Sequence, residues 1–250
     1  MVERIHAICL AGGSAFGLAA ADGVMRYLFE HGIGIDVGVA RVPIVPAAVI
    51  FDLGRGRSTA HPDAESGYRA CLAAAAGGRL EEGSVGAGTG ASVGKFLGPE
   101  GAMPGGIGSA AISVGGSTVG ALAVVNAMGD VLAGDGAIIA GARRPDGSFV
   151  GTSAAILAGE ARSGREALGR FANTTLGVVA TDAALTKAQC QKLAELAQDA
   201  LAITIRPVHT SSDGDTVFAL STGTREPDML ALGAAAVEAL SIAIRRAVGR

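Results

Sequence analysis

The stretch Phe171-Ala-Asn-Thr-Thr-Leu-Gly-Val-Val-Ala-Thr-Asp182 sets the dipeptide Asn173-Thr174 directly before a short, continuous apolar run. A run of this kind predicts a buried strand over residues 176–180. The dipeptide alone favours a turn, because Asn tolerates unusual backbone angles. It is also compatible with a self-cleaving junction, in which the Thr174 hydroxyl attacks the Asn173 carbonyl and a new N-terminal threonine is released. The freed amine, with a pKa of about 7.7–8.0, then serves as the base for its own hydroxyl.

The bulk composition is that of a folded chain of enzyme size. Its 250 residues are 49% hydrophobic and 17% charged, which excludes intrinsic disorder. The net charge of −3 gives no electrostatic reason to bind nucleic acid or an anionic membrane. No linker divides the sequence, so we expect one domain over residues 1–250.

The cysteines and histidines predict a protein without disulfides or a zinc site. Cys9, Cys71 and Cys190 are far apart and form no CxxC pair, which indicates reduced thiols in a cytoplasmic protein. The four histidines form no HxxH or HxxxH pair, so zinc is not expected. We therefore expect no metal and no organic cofactor.

One segment is apolar enough to be mistaken for a membrane span. Residues 101–129 carry no charge and are long enough to cross a bilayer. They also hold eight glycines and a Met-Pro-Gly-Gly break, with β-branched clusters further along. This pattern favours strand, loop and strand, so no membrane partner is expected.

Alternating helices and strands are predicted along the rest of the chain. In the first half we expect a strand over residues 5–10, helices over residues 14–31 and 63–78, and strands near residues 111–115, 118–126 and 136–142. In the second half we expect a helix opened by a capping box at Thr186, a strand over residues 216–221, and a last helix from Pro227. Residues 143–170 are expected to form an exposed connection.

The spacing of apolar residues also predicts which helix faces are buried. The faces expected to point inward are Leu18, Ala21, Met25 and Leu28 in the first helix, and Leu230, Ala234, Val237 and Ile244 in the last. Gly17 and Gly23 predict close packing against the first helix, because an interior glycine costs a helix about 1 kcal/mol relative to alanine.

Four polar residues in apolar or glycine-rich surroundings are candidates for a reactive site. Lys95 lies alone in an uncharged stretch, Asn126 ends an apolar strand, and Asp213 and Asp215 flank one glycine before another strand. Residues i and i+2 of an extended chain face the same side, so both carboxylates can serve one site. Each residue also has an ordinary interpretation: a lysine extending to solvent, an asparagine capping backbone, and a solvated acidic turn. Together with Asn173-Thr174, they supply the groups of an amide hydrolase.

Four stretches, in order along nearly the whole chain, resemble the DmpA-like aminopeptidases. They are residues 11–23 (AGGSAFGLAAADG), 42–54 (VPIVPAAVIFDLG), 85–90 (VGAGTG) and 178–183 (VVATDA). That family includes β-aminopeptidases and the nylon-oligomer hydrolase. The resemblance implies an N-terminal-nucleophile hydrolase with an α/β fold, a four-layer αββα sandwich. It also implies cleavage into chains of residues 1–173 and 174–250 that stay together, assembly into a homo-oligomer (a tetramer of processed heterodimers), and a short peptide or oligoamide substrate.

The same resemblance implies a role for each site residue. Thr174 matches the nucleophile of the nylon-oligomer hydrolase branch, and Lys95, Asn126, Asp213 and Asp215 fall on its active-site positions. Lys95 is expected to tune the freed amine by its charge, Asn126 to stabilise the oxyanion, and the two aspartates to orient Thr174 and hold its ammonium. The chain departs from the family at its start, because family members begin several dozen residues before the strand at 5–10.

Two other functions stay open at this point. An acyltransferase of the ornithine-acetyltransferase type uses the same cleaved threonine but passes the acyl group to an amine. The different start of the chain suggests the second alternative, an inactive small-molecule-binding remnant.

Overall fold

The computed structural model describes residues 2–160 and 173–248. Its strands are β1 (Cys9–Ala11), β2 (Ile35–Asp36), β3 (Arg41–Val42), β4 (Ala47–Val49), β5 (Ser92–Val93), β6 (Met103–Pro104), β7 (Gly106–Val114), β8 (Ser117–Asn126), β9 (Asp130–Leu132), β10 (Ile138–Ala140), β11 (Thr174–Ala183), β12 (Ile205–Arg206) and β13 (Thr216–Arg225). Its α-helices are α1 (Ala20–Glu30), α2 (Ala64–Ala76), α3 (Thr152–Leu157), α4 (Lys187–Ala197), α5 (Asp199–Thr204) and α6 (Met229–Val248).

A four-stranded sheet in the order β13-β11-β8-β7 forms the centre of the molecule. Strands β7 and β8 form an antiparallel hairpin, β11 runs antiparallel to β8, and β13 runs parallel to β11. Elsewhere, β1 pairs in parallel with β4, and the short strands form the sheets β10-β9-β12, β2-β3 and β5-β6. The central strands are long because their sequences are rich in β-branched and small residues, which fit a surface buried on both faces.

Alternate residues of the central strands enter two different cores, as the two-residue period of a strand requires. Ala121, Ala123 and Val125 belong to the large core that α4 and α6 cover. Val124 and Leu176 face the other way, into a smaller cluster beside β1 and β4. Helices α1 and α2 pack on each other outside β1. The layers are thus helices, central sheet, the β1-β4 pair and helices, in agreement with the predicted four-layer αββα sandwich.

The paired helices α1 and α2 approach each other closely through glycine. A Cβ atom added to Gly23 would collide with the carbonyl oxygen of Ala64, and one added to Gly67 would collide with that of Ala20. The close packing predicted at Gly17 and Gly23 is therefore confirmed, since Gly17 also leaves no room for a side chain.

The predicted inner faces of the first and last helices are only partly correct: Leu28 and Ile244 are buried as predicted, and the other predicted residues are exposed or only partly buried. Leu18 and Met25 are exposed, while α1 buries Ala20, Gly23, Val24 and Leu28. Residues 14–19 form a 3-10 helix with a different period from the α-helix that follows, and this shifts the face. In the last helix Leu230 is 85% exposed, and the buried face runs through Leu232, Ala236, Leu240 and Ile244.

Several predicted element boundaries also move. The first strand begins at Cys9 rather than residue 5, and the last helix begins at Met229 rather than Pro227. The capping box at Thr186 is confirmed, and residues 101–129 form strands as predicted. Of the predicted connection over residues 143–170, the part up to residue 160 contains α3, and the remainder lies outside the described residues. Among the helices that are described, none combines the length and apolar character required to cross a bilayer.

Candidate active site

Two strand ends meet where the predicted site residues lie. Thr174, the first residue of β11, pairs with Asn126, the last residue of β8. Directly opposed residues of antiparallel strands have Cβ atoms about 4.5–5.5 Å apart and share one face of the sheet. Both side chains are buried, and the period of β11 sets Thr174 on the same face as Leu176, toward β1 and β4. The sheet register therefore brings the predicted nucleophile and the predicted amide donor together.

The peptide bond before Thr174 lies in a geometry suited to attack by the Thr174 hydroxyl. Thr174 Oγ1 donates a hydrogen bond of 2.5 Å to the carbonyl oxygen of Asn173. The backbone N–H of Gly214 donates to the same oxygen at 2.9 Å. Asn173 also forms a parallel bridge with Asp213, three residues before the Leu176-Thr216 pair and in the same register as the β11-β13 pairing. A hydroxyl on the residue after the carbonyl, in contact with that carbonyl, and an N–H on the carbonyl oxygen are what an acyl shift needs.

Hydrogen bonds on both ends of the Asn126 amide fix its orientation. Asn126 Oδ1 accepts from Lys95 Nζ at 2.8 Å and from the backbone N–H of Ser92 at 3.1 Å. Asn126 Nδ2 donates to the carbonyl oxygen of Phe51 at 3.0 Å. Lys95 Nζ also donates to the Asn126 backbone carbonyl at 3.0 Å. The amide therefore has its oxygen toward Lys95 and its nitrogen toward Phe51, and Lys95 lies next to the Thr174-Asn126 pair.

Lys95 is a much weaker base than an ordinary lysine. Its pKa is lowered from 10.5 to about 7, mainly by burial and in part by the positive charge of Arg55, while the carboxylates of Asp213 and Asp52 oppose the change. Desolvation penalises the ammonium form, and the nearby acids recover only part of that penalty. Lys95 thus changes between cation and neutral amine close to neutral pH. From the sequence, Lys95 was predicted to act only through its positive charge.

Asp215 holds the start of β11 by a hydrogen bond with Thr175, the residue after Thr174. Asp215 Oδ1 accepts from the backbone N–H of Thr175 at 2.7 Å, and Oδ2 lies 2.8 Å from His209 Nδ1. Its side chain is 4% exposed. Burial raises the pKa of Asp215 and the charge of Asp213 adds to the increase, whereas the bonds from Thr175 and His209 oppose it. Asp215 is therefore a buried, hydrogen-bonded acid and not a solvated turn.

The side chain of Asp213 forms hydrogen bonds with a different part of the chain. Its Oδ2 accepts from the backbone N–H of Thr210 at 2.8 Å and from Thr210 Oγ1 at 2.6 Å. These bonds close the loop before β13. The two aspartates predicted as a pair are thus close in space, but they anchor opposite sides of Gly214: Asp213 the loop, and Asp215 the β11 backbone.

Two features of this site were not predicted from the sequence. His209 contacts Asp215, and its backbone has a positive φ of 54°, which few residues other than glycine adopt. The Gly214 N–H contacts the Asn173 carbonyl through backbone alone. The sequence from His209 to Asp215 is rich in polar residues. This predicts a loop, but it does not predict which residues the loop contacts.

A cavity opens beside Lys95, on the side of the Thr174-Asn126 pair that faces β4. Phe51, Asp52, Arg55 and Ser92 are among the residues that line it. Asp52 Oδ1 accepts from the backbone N–H of Gly13 at 2.6 Å. The walls thus combine an aromatic ring with groups of both charges, which suits a small polar ligand with apolar parts.

Within residues 2–160 and 173–248, no group of three or more His, Cys, Asp or Glu side chains is arranged to hold a metal ion.

Known proteins resemble this chain over most of its length. An uncharacterized aminopeptidase of Mycobacterium leprae (strain TN) is 49% identical, covering 90% of this chain and 62% of the relative. The 6-aminohexanoate-oligomer endohydrolase of Kocuria sp. (strain KY2) is 31% identical, covering 87% of this chain and 60% of the relative. The chain therefore spans about three fifths of the length of these relatives.

The fold has a match among solved structures. The L-aminopeptidase D-Ala-esterase/amidase of Ochrobactrum anthropi, described as a variant of the Ntn (N-terminal-nucleophile) hydrolase fold, superposes with a TM-score of 0.58. The match covers 92% of this chain and 62% of that protein at 20% identity, which bears on the fold alone. This agrees with the four layers described above, and the fold predicted from the sequence is confirmed. The sequence profile of peptidase family S58 matches residues 1–250, and the chain belongs to that family.

Proposed function

We propose that this chain is a self-processing N-terminal-nucleophile amide hydrolase that uses Thr174 as its nucleophile. The observation that carries the proposal is the 2.5 Å hydrogen bond from Thr174 Oγ1 to the Asn173 carbonyl oxygen. Membership of peptidase family S58 supports it, as do the relatives described as an aminopeptidase and an oligoamide endohydrolase.

Processing begins with the uncleaved chain. Thr174 Oγ1 attacks the Asn173 carbonyl carbon, its proton passes to the Thr174 nitrogen, and the carbon–nitrogen bond breaks to leave an ester. Water then hydrolyses the ester, which gives one chain ending at Asn173 and one beginning at Thr174. Lys95, whose pKa is about 7, is partly neutral near pH 7 and supplies a nearby base for the proton. The products are residues 1–173 and 174–250 of one domain.

Turnover uses the amine that processing frees. The α-amine of Thr174 takes the proton of its own hydroxyl, and Oγ1 attacks the carbonyl carbon of an amide substrate. The Asn126 Nδ2 group, held by its bond to Phe51, stabilises the oxyanion that forms. One donor of this kind contributes about 3–4 kcal/mol to transition-state stabilisation. The acyl-enzyme ester is then hydrolysed, and the amine gives the proton back.

The charged residues set the protonation of this machinery. Lys95 in its ammonium form lowers the pKa of the Thr174 amine by repulsion, and so keeps that amine a free base near neutral pH. Asp213 and Asp215 offset the positive charge and hold the backbone on both sides of the nucleophile. Activity is then expected to rise with pH as the amine loses its proton.

The substrate class that fits is a short peptide or a linear oligoamide. The cavity beside Lys95 is small and lined by groups of both charges, which favours short chains over folded proteins. We also propose that the protein works in the cytoplasm as a homo-oligomer, a tetramer of processed heterodimers. Exposed apolar side chains, among them Phe16, Phe29 and Val39, support an assembly that covers them.

Hydrolysis of small amides by matched variants tests the function. Wild-type protein is expected to cleave an amino-acid p-nitroanilide or a 6-aminohexanoate dimer, and Thr174→Ser is expected to keep measurable activity because a hydroxyl remains. Thr174→Ala is expected to lose activity, while Thr118→Ala, at the far end of β8, is expected to match the wild type. Equal activity in wild type and Thr174→Ala rejects Thr174 as the nucleophile.

A further inference from the structure

Gly214 contributes to the site through its backbone N–H, although it has no side chain and was not predicted from the sequence. Its backbone N–H donates to the Asn173 carbonyl oxygen at 2.9 Å, and that oxygen also accepts from Thr174 Oγ1. When Oγ1 becomes the attacking atom it turns toward the carbon and no longer donates. Among the described contacts of that oxygen, the Gly214 N–H is then the one that remains.

The surrounding residues hold this N–H in position. Thr216 pairs with Leu176 in the parallel ladder of β11 and β13, and the Asn173-Asp213 bridge continues that ladder past Gly214. On one side, the Asp213 side chain accepts a hydrogen bond from Thr210, in the loop before β13. On the other side, Asp215 binds the β11 backbone. The donor is therefore fixed before the reaction starts, which is what makes such a group effective.

The absence of a side chain at position 214 has a consequence of its own. A Cβ atom there would lie 3.0 Å from Thr174 Oγ1, closer than nine in ten real Cβ contacts, so the hydroxyl would have to shift. Glycine thus leaves Oγ1 the space to turn from the carbonyl oxygen toward the carbonyl carbon.

We infer that the backbone N–H of Gly214 is the oxyanion donor of the processing step, distinct from the Asn126 amide that serves substrate turnover. As Oγ1 bonds to the Asn173 carbon, the carbonyl π pair moves onto the oxygen, and the Gly214 N–H stabilises that charge. The Oγ1 proton is transferred to the Thr174 nitrogen, which leaves as the amine when the intermediate collapses to the ester. The inference rests on the proposed function, since it assigns a group to the cleavage proposed there.

The sharpest test removes the N–H and nothing else. Cell-free translation with a suppressor tRNA that carries glycolic acid at position 214 replaces the N–H by oxygen and adds no atoms. The matched control carries glycolic acid at Gly147, whose N–H bonds to Arg144 in an exposed turn. Folded precursor is isolated by size exclusion, with Thr174→Ala as the elution standard, and its half-life is followed by intact mass. We expect the precursor with the ester at 214 to persist roughly 100-fold longer than wild type or longer, as loss of one oxyanion donor predicts. The ester at 147 is expected to match wild type.

A second variant separates the N–H from the space around Oγ1. Gly214→Ala keeps the N–H and adds the Cβ, so it is expected to cleave more slowly than wild type but faster than the ester at 214. Cleavage of the ester variant within threefold of wild type, or an alanine variant slower than the ester, overturns the inference and leaves the proposed function standing. A wild-type precursor that is never cut before Thr174 rejects the proposed function instead.

Discussion

Thr174, the first residue of β11, lies directly opposite Asn126, the last residue of β8, in an antiparallel pair. A slip of one residue in this register would turn Thr174 to the opposite face of the sheet and separate it from Asn126. The register is held by eight consecutive pairs between the two strands and by cores on both faces. The position of the proposed nucleophile is thus a property of the whole central sheet and not of one loop.

The oxyanion role proposed for Asn126 predicts the kinetics of Asn126→Asp. Aspartate keeps an acceptor for Lys95 and Ser92 but replaces the donor Nδ2 by an oxygen. We expect kcat to fall by roughly 10²–10³ with little change in KM, because a transition-state interaction is lost. Steady-state kinetics on a small amide measure both.

Thr118→Ala is the control for that substitution. Thr118 lies at the far end of β8, and its backbone N–H, which alanine retains, donates to Asp182, so near wild-type kcat is expected. A kcat for Asn126→Asp within threefold of wild type would remove Asn126 from the reaction.

The acid pair predicts a loss of turnover when either charge is removed. Asp215→Asn keeps an acceptor for the Thr175 N–H but removes the negative charge that would balance the Thr174 ammonium. Asp213→Asn removes the negative charge on the other side of Gly214. We expect kcat/KM to fall at least roughly tenfold in each variant, which corresponds to about 1.4 kcal/mol. Asp135→Asn, in an exposed turn, serves as the control. Unchanged kinetics in both variants would restrict the pair to holding the loop.

The lowered pKa of Lys95 predicts a pH dependence of stability. The pKa is about 7 in the folded chain and 10.5 as the reference value, so between these pH values the unfolded chain binds the additional proton. The free energy of unfolding should therefore rise with pH through this window, by up to about 1.4 kcal/mol per pH unit, and this contribution should vanish in Lys95→Met. Urea unfolding from pH 6 to 10 measures the difference between the two proteins. Both should carry Thr174→Ala, so that the chain stays in one piece. A difference that does not change with pH would show that Lys95 keeps an ordinary pKa.

Much of the fold was predictable because its strongest signals are local. The capping box at Thr186 and the apolar runs of β8 and β11 mark elements that the structure contains. The helix faces were predicted less well, because α1 packs through Ala20 and Gly23. Close contacts between small residues leave no periodic pattern of large apolar side chains, so exposed Leu18 and Met25 were taken for the buried face.

The candidate site was also predicted only in part. Side chains at strand ends, such as Asn126 and Thr174, were identified because a polar residue beside an apolar run is conspicuous in a sequence. The Gly214 N–H was not, because every residue except proline has one and only the β11-β13 pairing gives it a partner. The pKa of Lys95 was not predictable either, since it depends on burial and on charges from Asp52, Arg55 and Asp213, which are distant in sequence.

Self-cleavage before Thr174 is tested by intact mass spectrometry of the purified protein, with Edman sequencing of the smaller species. We expect two species of 173 and 77 residues (250 − 173 = 77), with the smaller reading Thr-Thr-Leu-Gly-Val from Thr174. Thr174→Ser should give the same two species, and Thr174→Ala should give the single uncut chain. Cleavage by Thr174 would be contradicted by a small species that begins at Thr175. It would also be contradicted by a wild-type protein that remains one chain of 250 residues, as Thr174→Ala does.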